Sequence, residues 1–276
     1  MNITASQVND LRKITGAGMM DCKKALVEAE GDVEKAIEIL RKKGQKVASN
    51  RADRDAKEGK IVAKVSQDGK FGAMIMLNCE TDFVANTPDF IKIANDIVDL
   101  AIANRVKSLE ELNQMQINGR SIEDLITENS GKTGEKNTLA HYVFLEDELV
   151  NAYNHLGNRV ATLLSVNKAG EQYDKVAHEL AMQVAAMNPV AVDEKSINPE
   201  ILEKERDIAR DQVRAEGKPE NMIEKIAEGK VQKFLKENTL INQVFVRDGK
   251  ITVAEYMKSI DKDLTVNAFH RLILGA

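Results

Sequence analysis

Four histidines (His141, His155, His178, His270), two cysteines (Cys22, Cys79) and two glycine-bearing clusters are the residues of this sequence that could do chemistry. Metal chemistry needs three or four His, Cys or carboxylate ligands at defined spacing. The histidines are scattered, and none pairs with a Cys or carboxylate at such a spacing on one face. His178-Glu179 opens like the helical zinc motif, but Met182 stands where the second histidine belongs. A nucleophilic cysteine needs a base to form its thiolate. Nothing in the sequence marks one for Cys79, which reads as a small packed residue near a strand end. Ser130-Gly131-Lys132-Thr133 matches the end of a phosphate-binding loop, yet Ile126 occupies the position of its first glycine and no strand precedes it. Gly16-Ala17-Gly18 has Asp21 in place of a dinucleotide motif's third glycine, and it follows a helical pattern instead of a strand. No catalytic, cofactor or metal site is expected, and function must lie in binding.

The elements that would position binding residues change character along the chain. Residues 1–45 read as three short helices. Thr4 or Ser6 caps the first, with Val8, Leu11 and Ile14 on its apolar face. Gly16 and Gly18 break it. The second carries Met19, Met20, Cys22, Ala25 and Leu26, and the third carries Val33, Ala36, Ile37 and Leu40. Residues 41–60 hold eight basic and three acidic side chains and no sustained stripe. They read as a solvated linker, placed at 46–58, with a weak ribosome or RNA contact as the rival. From residue 61 the period becomes that of strands. Ile61–Val65 and Phe71–Asn78 flank Asp68-Gly69, a hairpin signal. A helix follows through Phe90, Ile97 and Ala101. A second strand pair is expected at about 140–151 and 158–167, and a second helix at about 171–187. Ile93–Ile97 matches Val176–Leu180 at an offset of 83, whereas Ala73 matches Ala161 at 88. One unit is therefore used twice, and its strand-to-helix connection is five residues longer in the first copy. Those extra residues fall in Glu80-Thr81-Asp82-Phe83-Val84-Ala85-Asn86, and a loop lengthened on a repeated scaffold points to function. Two narrow apolar stripes over about 198–238 read as an antiparallel helical hairpin. Val244–Val246 and Phe269–Leu272 look like short strands around a helix at about 253–260.

Composition narrows the possible partners. At 276 residues the prior is two compact units. Seven Phe, four Tyr and no Trp argue against base-stacking and sugar platforms. A formal charge of −5 lacks the basic footprint of a nucleic-acid binder. The longest uncharged apolar run, Phe71–Leu77, is far below the roughly 18 residues of a membrane span. The opening MNITASQVND is not an export signal, and two cysteines suit a reducing cytosol. Direct nucleic-acid and membrane partners are not expected, and the expected location is the cytoplasm.

Four stretches carry a family resemblance. They are Leu11–Leu26 (LRKITGAGMMDCKKAL) with Gly31-Asp32 and Ala36-Ile37 after it, Asn78–Ala85 (NCETDFVA), Tyr153-Asn154-His155 with Gly157-Asn158-Arg159, and, more loosely, Gly217-Lys218-Pro219 through Gly229 to Lys233-Phe234-Leu235. Together they resemble, in order and over nearly the whole chain, the family of translation elongation factor Ts, guanine-nucleotide exchange factors of elongation factor Tu. The resemblance implies an α+β fold: a ubiquitin-associated-like three-helix bundle at 1–45, related half-cores at 59–139 and 140–276, and the helical hairpin inserted in the second half. It implies that elongation factor Tu, GDP-bound and nucleotide-free, is the partner. Asp82 and Phe83, flanked by Thr81 and Val84, would enter its GTPase domain near the switch and magnesium site. Arg12, Met19 and Met20 match the family's N-terminal contact. Where members often carry a His in the second-half helix, this chain has Gln183, which can hydrogen-bond but carries no charge. A C-terminal helix module found in some members is expected to be missing beyond Gly275-Ala276. On residue type alone, Phe83 and the two Met read equally as core residues and Asp82 as a helix cap. Two other functions remain open at this point: a ubiquitin-binding adaptor built on the N-terminal bundle, and a phosphoryl-transfer enzyme using Ser130–Thr133.

Overall fold

Residues 3–275 are described by a computed structural model. Its first three helices are α1 (Ala5–Thr15), α2 (Met19–Glu28) and α3 (Val33–Asn50). Thr4 caps α1 through a reciprocal pair in which the Gln7 N–H donates to Thr4 Oγ1 and the Thr4 N–H donates to Gln7 Oε1. Gly16, at φ 66°, ends it in the left-handed region that glycine enters without strain. Asp32 caps α3 by accepting from the Lys35 N–H. Val8, Leu11, Cys22, Ala25, Leu26 and Ala36 form the bundle's small core. Ile14 is exposed, outside that core.

The expected linker at 46–58 begins as helix, its first five residues belonging to α3. α3 runs ten residues beyond Leu40, and only residues 51–57 lie between it and the first strand. The reason is a contact that leaves no apolar stripe. α3 crosses a later helix, α7 (Ile122–Thr133), at Gly44 and Gly131, and a Cβ on Gly131 would collide with the Gly44 backbone. Arg41 and Arg120 both bind Glu128 beside this crossing, at 2.9 and 2.5 Å.

The first half continues with β1 (Glu58–Val65), β2 (Phe71–Cys79), α4 (Asp82–Ala85), α5 (Pro88–Asn104), α6 (Leu109–Gln114), the short hairpin β3 (Gln116–Ile117) and β4 (Arg120–Ser121), α7 (Ile122–Thr133) and β5 (Thr138–Glu146). The second holds β6 (Leu149–Asn154), β7 (Val160–Val166), α8 (Glu171–Met187), the helical pair α9 (Pro199–Ala215) and α10 (Glu220–Asn238), α11 (Val253–Ile260) and β8 (Val266–Ile273). Two antiparallel three-stranded sheets result, ordered β1-β2-β5 and β6-β7-β8. The expected strand at 140–151 is therefore two strands. Residues up to Glu146 pair with β2, and the chain turns at Asp147-Glu148 before β6 begins. Val244–Val246 is not a strand and makes a single bridge, Val244 to Thr252; Phe245 is buried and stacks on Tyr256.

The sheets pack face to face. Ile61, Ala63, Met74 and Met76 of the first meet Val150, Ala161 and Leu163 of the second. α5 covers the outer face of the first sheet and α8 that of the second. β2 is buried on both faces, which accounts for the apolar run Phe71–Leu77. Gly72 permits the close approach, since a Cβ there would lie 2.6 Å from Val150 Cγ1. The fold is α+β: a helical bundle, two related halves and a projecting helical hairpin. None of the described helices is long and apolar enough to cross a membrane.

Candidate functional site

The lengthened connection is where the structure places its most exposed aromatic. β2 reaches α5 through residues 80–87, whereas β7 reaches α8 through 167–170, eight residues against four. The extra length is taken up by the one-turn helix α4. Thr81 caps it, its Oγ1 accepting from the Val84 N–H at 3.4 Å. Within this turn Val84 and Ala85 face the first core, while Asp82 and Phe83 face solvent, Phe83 being 84% exposed. The core reading of Phe83 is thereby excluded, and the cap is Thr81 rather than Asp82.

The turn is held at both ends. At its start the Glu135 carboxylate accepts from the Glu80 and Thr81 N–H groups, at 3.1 and 3.0 Å, and from Thr81 Oγ1 at 2.6 Å. The Glu80 carboxylate in turn accepts from the Lys136 N–H at 2.7 Å and from the Arg51 guanidinium at 2.8 and 2.7 Å. Burial alone would raise the Glu80 carboxyl, but the Lys136 N–H and Arg51 outweigh it and hold it below the ordinary carboxylate value. At the far end Asn86 Nδ2 donates to the Asp82 carbonyl, and Lys60 Nζ bridges Asn86 Oδ1 to the Gly157 carbonyl of the second half.

On the N-terminal bundle Arg12, Met19 and Met20 are all exposed, the two Met at 54% and 63%. Their core reading therefore fails, and both stand at the start of α2 just after the glycine break.

Residues 80–276 match the family model "Elongation factor TS". A protein named "Elongation factor Ts" from Christiangramia forsetii is 51% identical over 273 residues, covering 99% of both chains. Those from Amoebophilus asiaticus and Flavobacterium psychrophilum are 49% and 48% identical over 277 and 273 residues, covering 100% and 99% of both chains. The chain belongs to the elongation factor Ts family. It is a translation elongation factor, and the family's role is guanine-nucleotide exchange. The matched region holds the Thr81–Val84 turn, β5, the second sheet and the hairpin, and the full-length relatives extend the likeness over the N-terminal bundle, β1 and β2.

Other predicted residues are placed differently. Gln183, the position of the family's His, is 0% exposed. Its Nε2 donates to Gln243 Oε1 and the Val244 carbonyl, and its Oε1 accepts from the Val246 N–H at 2.8 Å. It is thus not a surface contact. It fixes the segment that carries the exposed Val244 and Val246. Cys79 is buried, its thiol donates to the Thr81 carbonyl at 3.1 Å, and burial with the Glu135 charge pushes its pKa up to about 12. Such a thiol is no nucleophile. Ser130–Thr133 ends α7, with the Ser130 hydroxyl buried and donating to the Ile126 carbonyl, so no phosphate loop exists there.

Sequence reasoning missed two arrangements. The third motif joins the halves: Asn154 bonds both the N–H and carbonyl of Ala63, each at 2.8 Å, and Asn158 does the same for Ile61, each at 2.9 Å, donating from its side chain and from the Ile61 N–H accepting at its own carbonyl. And two of the scattered histidines share one surface cluster. His155 Nδ1 lies 2.9 Å from Tyr153 Oη, the Tyr153 ring meets His178 edge-on, and His178 Nδ1 lies 3.1 Å from Asn151 Oδ1. Only the spacing of β6 against α8 reveals it.

Proposed function

We propose that this chain binds elongation factor Tu in its GDP-bound and nucleotide-free states and promotes GDP release by inserting Asp82 and Phe83 near the switch and magnesium site of the GTPase. Thr81 caps the inserted turn and Val84 anchors it, while Arg12, Met19 and Met20 supply a second contact from the N-terminal bundle. The bundle, the two half-cores and the helical hairpin are the working parts. GTP then rebinds, no bond is made or broken, and the factor works in the cytoplasm without direct nucleic-acid or membrane contacts.

One observation carries this reading: an aromatic that is 84% exposed on a turn hydrogen-bonded at both ends. Burying a Phe side chain contributes roughly 1.5–3 kcal/mol. If only the open partner offers it a pocket, that energy biases the partner toward the open state. Coupling is reciprocal, so nucleotide must in turn displace the factor.

Release of labelled GDP from elongation factor Tu, with and without the chain, tests the activity. Phe83→Ala is expected to slow release by about ten- to a hundredfold, the fold-change equivalent of that burial energy. Asp82→Ala is expected to slow it as well. Because Phe83 faces water, its replacement leaves the unfolding free energy within about 0.5 kcal/mol of the parent. Parental release rates in both variants would rule out the insertion.

A further inference from the structure

Glu135 lies outside every motif that carries the family resemblance, yet its carboxylate meets three donors at the base of the Phe83 turn. Two are consecutive backbone N–H groups on one oxygen. Both N–H groups reach that oxygen because the chain bends at Glu80, so the charge holds the bend in place. The third is the Thr81 hydroxyl. By giving its proton to Glu135, Thr81 Oγ1 keeps a lone pair turned to the Val84 N–H, which is the cap of α4. A single helical turn does not hold itself together. Its shape depends on this cap, and the cap depends on Glu135.

The arrangement is reciprocal. Glu135 takes the backbone N–H groups of residues 80 and 81, and Glu80 takes the backbone N–H of residue 136. Arg51, just past α3, adds its guanidinium to Glu80, and Lys136 Nζ donates to the Ala52 and Arg54 carbonyls at 2.6 and 3.2 Å. The turn, the segment before β5 and the exit of the N-terminal bundle thus form one hydrogen-bonded unit. An exposed Phe on a loose loop would have to be ordered at the moment of docking, at a cost in free energy. Here the ordering is done in advance.

We infer that Glu135 is a positioning residue for nucleotide exchange: through the Glu135–Glu80 clamp it sets the pose of Phe83 before the partner arrives. This rests on the insertion of Phe83 proposed above. Glu135→Gln is a sharp probe, because an amide presents one acceptor where the site needs two. One flip puts an NH₂ against the paired N–H groups; the other keeps those bonds but reverses the one to Thr81, whose Oγ1 must then accept from both the amide and the Val84 N–H.

The experiment reads GDP release from elongation factor Tu across a range of factor concentrations, alongside amide hydrogen exchange of the free factor. For Glu135→Gln, the release rate at saturating factor is expected to fall about tenfold, in line with what misplacement of an acting group costs. The half-saturating concentration should shift far less. Exchange of the Thr81–Ala85 amides should accelerate, while that of β2 and α5 stays parental. Thr81→Val is the second variant, should Glu135→Gln fold poorly. It removes the Glu135 bond and the Val84 cap together with little change of shape, and Thr81→Ser, which keeps the hydroxyl, should rank above it in release. Parental amide exchange at residues 81–85 together with a parental saturating rate overturns the clamp. Phe83→Ala run in parallel separates the two ideas: parental release there defeats the insertion, and the amide exchange of Glu135→Gln still decides whether the clamp exists.

Discussion

Cys79 shows how far burial can remove a residue from chemistry. Its thiol is held at a pKa of about 12, well above the ordinary thiol value, first by burial and then by the Glu135 charge. The folded chain therefore keeps this proton at pH values where the unfolded chain loses it. The associated stability is fully present below about pH 8.5, the ordinary thiol pKa, and is lost as pH rises through the folded value. Urea unfolding at pH 7 and pH 10 is expected to show a loss of stability at the higher pH that is smaller in Cys79→Ala. Alkylation of Cys79 at neutral pH should follow unfolding rather than precede it. Cysteine type and position near a strand end were enough to read this residue as packed. Phe83 was legible too, as an aromatic in a lengthened loop, although residue type could not tell solvent from core. Glu135 and the role of Gln183 were not legible. Their partners lie 54 to 63 residues away in sequence, and a single carboxylate or amide carries no periodic signal.

At the scale of elements, the repeat was readable because helices repeat cleanly. α5 spans 88–104 and α8 spans 171–187, so both ends keep the offset of 83 seen in the sequence. The connection before them differs by four residues where the strand match implied five. Strand ends are set by sheet pairing, and β7 carries a register shift at Ser165/Val166 that no local pattern reveals. The start of the linker, 46–50, was misread for a related reason, since it belongs to α3. Hydrophobic periodicity reports helices that bury side chains, whereas α3 and α7 meet through glycine backbone. Gly131→Ala tests this. Its methyl group would press on Gly44, and overpacking of this kind costs about 1–3 kcal/mol. Because the crossing holds the bundle against the first half, the strain should appear as separation of the two. Limited proteolysis within residues 51–57 is expected to speed up, with the sheet core resisting as before. Unchanged cleavage there would mean that the Arg41–Glu128–Arg120 cluster holds the crossing without close glycine contact.

For the whole molecule, the decisive feature is how an edge strand is closed. β1 lies at the edge of its sheet, and an open edge exposes alternate N–H and carbonyl groups to any passing strand. Ile61 and Ala63, two residues apart, turn the same edge outward, and Asn158 and Asn154 satisfy both groups of each. Asn suits the position: Asn158 sits at φ 57°, a left-handed conformation that Asn tolerates better than most side chains. The second half thus completes the first sheet with side chains where a further strand would otherwise lie, and the shared core of Ile61, Met74, Val150 and Leu163 lies directly behind. The two halves should then lose stability together. Asn154→Ala leaves the Ala63 N–H and carbonyl without partners at this seam, at about 1–3 kcal/mol for a polar group left unsatisfied. Native-state hydrogen exchange distinguishes the cases. Loss of protection by a similar free energy in β2 and in β7 is expected, since both strands bury one face in the common layer. If the amides of β7 alone lost protection, the halves would be separately stable units held by contact, and the face-to-face packing around Gly72 would contribute little to either.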